Sequence, residues 1–127
     1  MATKTIIKPA KSPPVVGPYS PGVRVGDLLF CAGQIPINPK DGKLMLGDIK
    51  MQTERVLQNI KIILDDQGLT FANVVKTTVY MVDLACFCDM NEVYGKHFTA
   101  NFPARATVQV AALPKGAHVE IGVIAHY

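Results

Sequence analysis

Charged residues are rare near the end of this chain, and two of them interrupt sequence that is otherwise apolar. Between His97 and Tyr127 the acidic and basic residues, histidines aside, are Arg105, Lys115 and Glu120. Lys115 stands in a turn-forming Pro-Lys-Gly segment, where a charge is ordinarily solvated. Arg105 and Glu120 stand in β-forming segments, where a lone buried charge costs free energy unless it has a partner or a purpose. These two residues are therefore the first candidates for chemistry.

Two interpretations of Arg105 and Glu120 are open at this point. In the first they form a structural ion pair, or are simply exposed at an edge, and strongly perturbed charges are often structural. In the second, Arg105 binds the carboxylate of a substrate while Glu120 handles a water molecule or a proton. A guanidinium suits the first of these tasks because it offers a planar, two-pronged set of donors that matches a carboxylate.

Other catalytic and cofactor-binding patterns are missing from the sequence. It has no Gly-x-Gly-x-x-Gly motif and no phosphate-binding P-loop. The two serines, Ser12 and Ser20, lie in turn-rich sequence without a nearby histidine, which argues against a Ser-His-Asp triad. Cys86 and Cys88 fall on a predicted helix, where residues two apart diverge, and the three histidines lack metal-ligand spacing. We expect neither a metal nor a cofactor.

Composition argues against nucleic-acid and membrane partners. The net charge is +3, the ten lysines are scattered, and no basic run is interleaved with aromatic residues. No apolar stretch approaches the roughly 18 residues that span a bilayer, and the N-terminus lacks the apolar core of a secretory signal. Three cysteines without disulfide-scaffold spacing fit a reducing compartment. We therefore expect a cytoplasmic protein, with the mitochondrion left open, made of a single domain over residues 1–127.

Turns dominate the first forty residues, and short strands are predicted between them. The predicted strands are Thr3–Ile7, Val23–Val25 and Leu28–Gln34. Gly26-Asp27 is a plausible tight hairpin turn between the last two.

A long helix is predicted over Asp48–Gln67. Asp48 is a good N-cap, and Gly68 stands where a left-handed C-cap belongs. Apolar residues repeat at helical spacing and form one face, namely Val56, Leu57, Ile60, Ile63 and Leu64.

The second half of the chain alternates strands with one more helix. We predict a strand over Val74–Val82, then a helix over Leu84–Thr99 capped by Asp83, and finally strands over Ala106–Val110 and His118–His126. This order favours an α+β fold with a mixed or mainly antiparallel sheet and both helices on one face. It puts the lone arginine and the lone glutamate on strands we take to be adjacent. The uncovered sheet face then points to an oligomer.

Short motifs carry a family resemblance from about Ile7 to the C-terminus. They are Gly17-Pro18-Tyr19-Ser20, Gly33-Gln34-Ile35-Pro36, Asn73-Val74-Val75-Lys76-Thr77-Thr78-Val79, Asn91-x-x-Tyr94, Phe102-Pro103-Ala104-Arg105, Val110-Ala111-Ala112-Leu113-Pro114-Lys115-Gly116 and Val119-Glu120-Ile121. Together and in this order they resemble the RidA (YjgF) family of imine and enamine deaminases. Several separated motifs in the right order are far more specific than any one of them.

The resemblance implies a fold, an assembly and an activity. The fold is the chorismate-mutase-like α+β domain, a mixed sheet backed by two helices. The assembly is a homotrimer with ligand clefts between subunits. The activity is hydrolysis of 2-aminoacrylate, 2-iminobutanoate and related 2-imino acids to 2-keto acids and ammonia, without metal or cofactor.

The resemblance also implies roles for individual residues. Arg105 would bind the substrate carboxylate, and Glu120 would orient or activate the attacking water. Tyr19 and Asn91 would line the cleft from the neighbouring subunit, Gly33 would keep one wall thin, and the Thr107 backbone would hydrogen-bond the substrate. Without the resemblance, Tyr19 would be taken to pack against prolines and Thr107 to be a β-former.

Three positions depart from the family pattern. Ala32 replaces a frequent serine, Pro21 a frequent glutamine and Gly122 a frequent acid. These changes put rate and substrate range in question more than reaction class. The remaining alternatives are a non-catalytic trimer that senses 2-keto acids through Arg105, an endoribonuclease or translation inhibitor, and a chaperone-like protein. The composition argues against the RNA-directed alternative.

Overall fold

The structure is a computed structural model that describes residues 3–127. Six strands and two α-helices form the fold, in the order β1 (Lys4–Ile7), β2 (Gly22–Val25), β3 (Leu28–Gln34), α1 (Ile49–Asp66), β4 (Val74–Met81), α2 (Phe87–His97), β5 (Ala104–Gln109) and β6 (Val119–His126). All six strands belong to one sheet, and both helices pack on one of its faces. The α+β class with two helices on one face is confirmed.

Local sequence signals explain α1. The Asp48 carboxylate accepts a hydrogen bond from the Met51 N–H at 2.9 Å, which satisfies one of the unpaired donors of the first turn. After the last turn, Gly68 adopts a φ of 70°, a conformation that glycine takes at little cost. The apolar face is fully buried, with an exposed fraction of 0% at Val56, Leu57, Ile60, Ile63 and Leu64. The predicted extent, cap and face of this helix are confirmed.

The second helix begins three residues later than predicted. Asp83 does act as a cap, but its carboxylate accepts the Ala85 N–H of a short 3₁₀ turn over Leu84–Cys86. The α-helix proper starts at Phe87 and ends at His97. The 3₁₀ turn leads directly into the first turn of α2, and such turns are common at the N-termini of α-helices.

Strand order corrects one expectation about the site. The sheet runs β1-β2-β3-β6-β4-β5, so β4 separates β5 from β6. The expectation that the Arg105 and Glu120 strands are adjacent is therefore wrong. The reason is the β4–α2–β5 connection, which crosses over and returns β5 parallel to β4 at the sheet edge. β6 then fills the gap between β3 and β4, antiparallel to both.

The two faces of the sheet have different surroundings. On β6 the side chains of Val119, Ile121, Val123 and Ala125 are buried beneath the helices. The alternate side chains point to the other face, which no part of residues 3–127 covers as a layer; we call it the open face. Apolar side chains on it include Ile6, Val25, Leu28, Phe30 and Val108, which are 36–42% exposed. An apolar sheet face of this kind is typical of a surface covered by another chain.

Within the described residues, neither helix is both long and apolar enough to cross a bilayer.

Candidate functional site

Arg105 lies near the start of edge strand β5 and faces α2. In the sheet, Arg105 pairs with Thr77 of β4. The Thr77 side chain is fully buried under the helices. The Arg105 Nη1 donates a hydrogen bond of 2.7 Å to the Asn91 Oδ1. The guanidinium carbon lies 4.7 Å from the ring centre of Tyr94 and 5.4 Å from that of Phe87. The charge is thus held against two aromatic rings, within the range of cation–π attraction.

These contacts orient the guanidinium without neutralising it. The Asn91 amide oxygen occupies one of the five donors of the guanidinium, and the Arg105 side chain is exposed. No carboxylate bonds it among the described residues. Arg105 therefore keeps charged donors free at the edge of the sheet, as a carboxylate-binding group requires.

The backbone of Thr107 faces the same free edge. In a parallel pair the hydrogen-bonding residues alternate, and the Val110 N–H donates to the Met81 carbonyl at 2.8 Å. Even-numbered residues of β5 thus bond to β4, while the N–H and C=O of Thr107 point outward. Its hydroxyl is buried and has no hydrogen-bond partner within the described residues. We call Arg105, Asn91 and Thr107 the Arg105 cluster.

Glu120 lies on the open face, opposite Tyr80 of β4. It is partly buried, and burial raises the pKa of its carboxyl above the ordinary value because the ionised form loses hydration. The carboxyl borders a cavity of about 560 Å³ that is also lined by Tyr19, Gly33 and Lys115. We call this space the Glu120 cavity.

Gly33 permits the close approach of the Glu120 side chain to β3. A Cβ added at residue 33 would lie 2.5 Å from the Glu120 Oε2 and 2.9 Å from its Cδ, closer than real Cβ contacts allow. The absence of a side chain is therefore what lets the carboxyl lie against this wall. This agrees with the thin wall that was expected at Gly33.

We predict that Gly33→Ala displaces the Glu120 carboxyl and lowers the rate of a reaction that uses this carboxyl by about a hundredfold, the cost of misplacing a reacting group by about 1 Å. Gly95→Ala on α2 serves as the control, because a Cβ added there would meet no atom within 4 Å. The measurement is kcat/KM together with thermal unfolding. Full activity in a folded Gly33→Ala protein would contradict the prediction.

Arg105 and Glu120 do not meet within one chain. Arg105 shares the helix-covered face with Thr77, whereas Glu120 shares the open face with Tyr80. They are also two strands apart, a separation of about 10 Å before any offset along the strands. The interpretation as a structural ion pair between them is therefore wrong for this chain.

The other predicted site residues divide between the two places. Asn91, expected with Tyr19 from a neighbouring subunit, instead bonds Arg105 of its own chain, because Asn91 and Tyr94 lie one turn apart on the face of α2 that meets β5. Tyr19 and Gly33 line the Glu120 cavity. The predicted site residues thus fall into two groups on opposite faces of one sheet, the Arg105 cluster and the Glu120 cavity, which we call the two half-sites of the candidate site.

Sequence reasoning missed the aromatic support of Arg105. Phe87, Asn91 and Tyr94 are spaced i, i+4 and i+7, which puts them on one face of a helix, and this spacing was the available signal. Among the described residues no group of three histidine, cysteine, aspartate or glutamate side chains is arranged to hold a metal ion.

Known proteins are similar to this chain in sequence and in fold. The family model described as Endoribonuclease L-PSP, which corresponds to RidA/YjgF, matches residues 9–127. The chain belongs to the RidA/YjgF family. A RutC family protein of Pyrococcus abyssi is 48% identical over 123 residues, which cover 97% of this chain and 97% of that protein.

Two further members of the family extend the comparison. The human 2-iminobutanoate/2-iminopropanoate deaminase is 43% identical over 122 residues, or 96% of this chain and 89% of that protein. The crystal structure of Escherichia coli TdcF with bound serine superposes with a TM-score of 0.91 at 39% identity, covering 97% of this chain and 98% of that one. These likenesses confirm the resemblance and the RidA-like fold. Since relatives carry the names of different activities, membership alone leaves the reaction of this chain to be argued from its site.

Proposed function

We propose that this RidA-family protein hydrolyses 2-imino and 2-enamino acids, such as 2-aminoacrylate and 2-iminobutanoate, to 2-keto acids and ammonia. The observation that carries the proposal is the free, pre-oriented guanidinium of Arg105 at an open sheet edge, which fits a small carboxylate. Two relatives support it: the human relative is an imine deaminase, and TdcF binds serine, which also bears an α-carboxylate.

The complete site would be formed between two copies of the chain. Arg105 and Glu120 face opposite ways in one chain, so a single small ligand reaches both only if one copy supplies the Arg105 cluster and another the Glu120 cavity. Such a contact joins two different surfaces, and its repetition gives a closed ring when the rotation between copies closes. We propose a homotrimer, with the apolar open face as the inner wall.

The reaction asks for positioning and one proton carrier. The enamine 2-aminoacrylate first gains a solvent proton at C3, which converts it to the iminium. The iminium R–C(=NH₂⁺)–COO⁻ and water then give R–CO–COO⁻ and NH₄⁺. The water oxygen forms a bond to C2, the C2–N bond breaks, and two protons of the water pass to nitrogen. Arg105 and the outward N–H of Thr107 would fix the carboxylate, which places C2 beside a held water molecule. Glu120 would take a proton from that water and deliver one to the departing nitrogen.

We predict an acid limb in the pH profile that belongs to Glu120. The base must be ionised, and burial raises the pKa of this carboxyl. We therefore expect kcat/KM to rise with pH through a pKa above the ordinary carboxyl value. As the pH falls through that pKa, Glu120 is protonated and activity is lost. The check is kcat/KM against pH for wild type and Glu120→Gln, with the variant lacking the limb and losing about 10²- to 10⁴-fold. An identical limb in the variant would assign the titration to another group.

The direct test is pyruvate formation from 2-aminoacrylate generated in situ. The wild-type protein is expected to accelerate pyruvate release well above the spontaneous rate, and to do so after exhaustive treatment with a chelator. A protein that binds 2-oxobutanoate without accelerating hydrolysis would instead be a 2-keto-acid sensor. A protein that cleaves RNA, with steep dependence on salt, would instead be an endoribonuclease, as the family's name Endoribonuclease L-PSP suggests.

A further inference from the structure

The hydroxyl of Tyr94 reaches from α2 to β4, and no step of the proposed reaction uses it. It lies 2.9 Å from the hydroxyl of Thr77 in a buried hydrogen bond. Thr77 is the residue that pairs with Arg105 in the register of β4 and β5, so the two side chains stand next to each other on the helix-covered face. Tyr94 is therefore anchored to the sheet directly beside the root of the Arg105 side chain.

The ring of Tyr94 is held by packing as well. Phe98, which is 3% exposed, stacks on it with the ring centres 4.4 Å apart and an interplanar angle of 27°. The guanidinium carbon of Arg105 lies 4.7 Å from the centre of the same ring. A ring that is stacked along its face and bonded at its tip has little freedom to rotate. It thus links the packed core to an exposed guanidinium as a rigid support.

The phenol of Tyr94 stays neutral, which preserves the charge of Arg105. Burial raises the pKa of the Tyr94 hydroxyl, and the hydrogen bond with Thr77 and the positive charge of Arg105 oppose this rise without cancelling it. A phenolate beside the guanidinium would neutralise it and compete with a substrate carboxylate. A neutral ring instead attracts the guanidinium through its face and leaves the charged donors free.

Stability alone does not call for the two hydroxyls. Thr77 is fully buried and Tyr94 is 6% exposed, so valine and phenylalanine would have nearly the same shapes in the same places. Replacing both members of a buried hydrogen bond by apolar groups of the same shape is close to neutral and can be stabilising. What the hydroxyl pair adds is direction, because it fixes the ring relative to β4 and hence relative to Arg105.

We propose that Tyr94, fixed by Thr77, is a positioning residue that holds the Arg105 guanidinium in the orientation that binds a carboxylate. The hydrogen bond from Arg105 to Asn91 holds one end of the guanidinium, and a single bond leaves its plane free to turn. The Tyr94 ring removes this remaining freedom. The inference rests on the proposed function for the kind of ligand, whereas the orientation of Arg105 can be measured without any ligand.

The experiment uses Tyr94→Phe, Thr77→Val and the two substitutions combined. Each single variant leaves one buried hydroxyl without its partner, so we expect a lower unfolding temperature that the double variant largely recovers. The dissociation constant of 2-oxobutanoate, measured by calorimetry, is expected to rise about tenfold in all three, the loss of one charge-assisted hydrogen bond of a two-pronged contact. A merely structural pair would instead let binding recover with stability in the double variant.

Tyr127→Phe is the matched control for removal of a bonded phenol. The Tyr127 hydroxyl donates a hydrogen bond of 2.6 Å to Gln67, and this residue is remote from both half-sites. The control is expected to bind 2-oxobutanoate as the wild type does.

The second readout is the order parameter of the Arg105 Nε–H bond, measured by nitrogen-15 relaxation without ligand. We expect a rigid value of about 0.85 in the wild type and less than about 0.6 in all three variants. If these changes and the weaker binding occur in a protein that hydrolyses no imine, the proposed reaction fails and the positioning role stands. A double variant that keeps the wild-type order parameter or the wild-type dissociation constant overturns the inference even if imines are hydrolysed. A wild-type protein with a mobile Arg105, or one that does not bind 2-oxobutanoate, overturns it as well.

Discussion

Replacing Arg105 by alanine is expected to lower kcat/KM for 2-aminoacrylate about 1000-fold while leaving the protein folded. A two-pronged contact with a carboxylate comprises two charge-assisted hydrogen bonds, worth about 1.5–3 kcal/mol each. A loss of about 4 kcal/mol corresponds to three factors of ten. The fold is expected to survive because Arg105 is exposed and bonds one side chain, Asn91. The measurement is steady-state pyruvate release together with thermal unfolding.

Two further variants make this expectation specific to the carboxylate contact. Arg24→Ala removes a guanidinium that lies 3.7 Å from the Tyr127 ring centre, remote from both half-sites, and is expected to retain wild-type activity. Arg105→Lys keeps the charge but loses the planar fork, so an intermediate loss of about tenfold to a hundredfold is expected. If Arg105→Ala and Arg24→Ala behave alike, Arg105 is a surface residue and the proposed clamp is wrong.

Local signals in the sequence were enough to predict the individual elements. Asp48 and Gly68 bound α1 because cap chemistry depends on a few neighbouring residues. The alternation of β6 was likewise readable, since side chains on one strand must point to opposite faces. Alternation predicts that Glu120 faces away from Val119 and Ile121, and the burial pattern of β6 agrees.

The relation between strands was not readable from the same signals. Alternation fixes the phase within β5 and within β6, but it does not say which strand lies between them. That depends on the crossover through α2, which carries β5 beyond β4. As a result the sequence predicted adjacent strands for Arg105 and Glu120, whereas the fold separates them by β4 and directs them to opposite faces. The resemblance supplied the idea of a shared cleft, which local patterns could not.

Subunit mixing is the second large effect that the two half-sites predict. Arg105→Ala and Glu120→Gln are each expected to be nearly inactive as pure proteins, because every site in them lacks one half. Co-expressed in equal amounts with different tags, the two variants form mixed rings. When the two variants are arranged at random in a closed ring, about one interface in four joins an intact Arg105 cluster to an intact Glu120 cavity. Activity of the mixture is therefore expected to recover to about a quarter of the wild-type value.

The control for mixing is a partner that carries both substitutions. Arg105→Ala with Glu120→Gln in one chain offers neither half, so co-expression with either single variant is expected to give no recovery. A mixture of the single variants that stays at the sum of their separate activities would place all essential groups within one chain. Because the sheet holds the guanidinium and the carboxyl on opposite faces, that result would remove one of these two residues from the chemistry. Recovery requires both, and requires them from different copies.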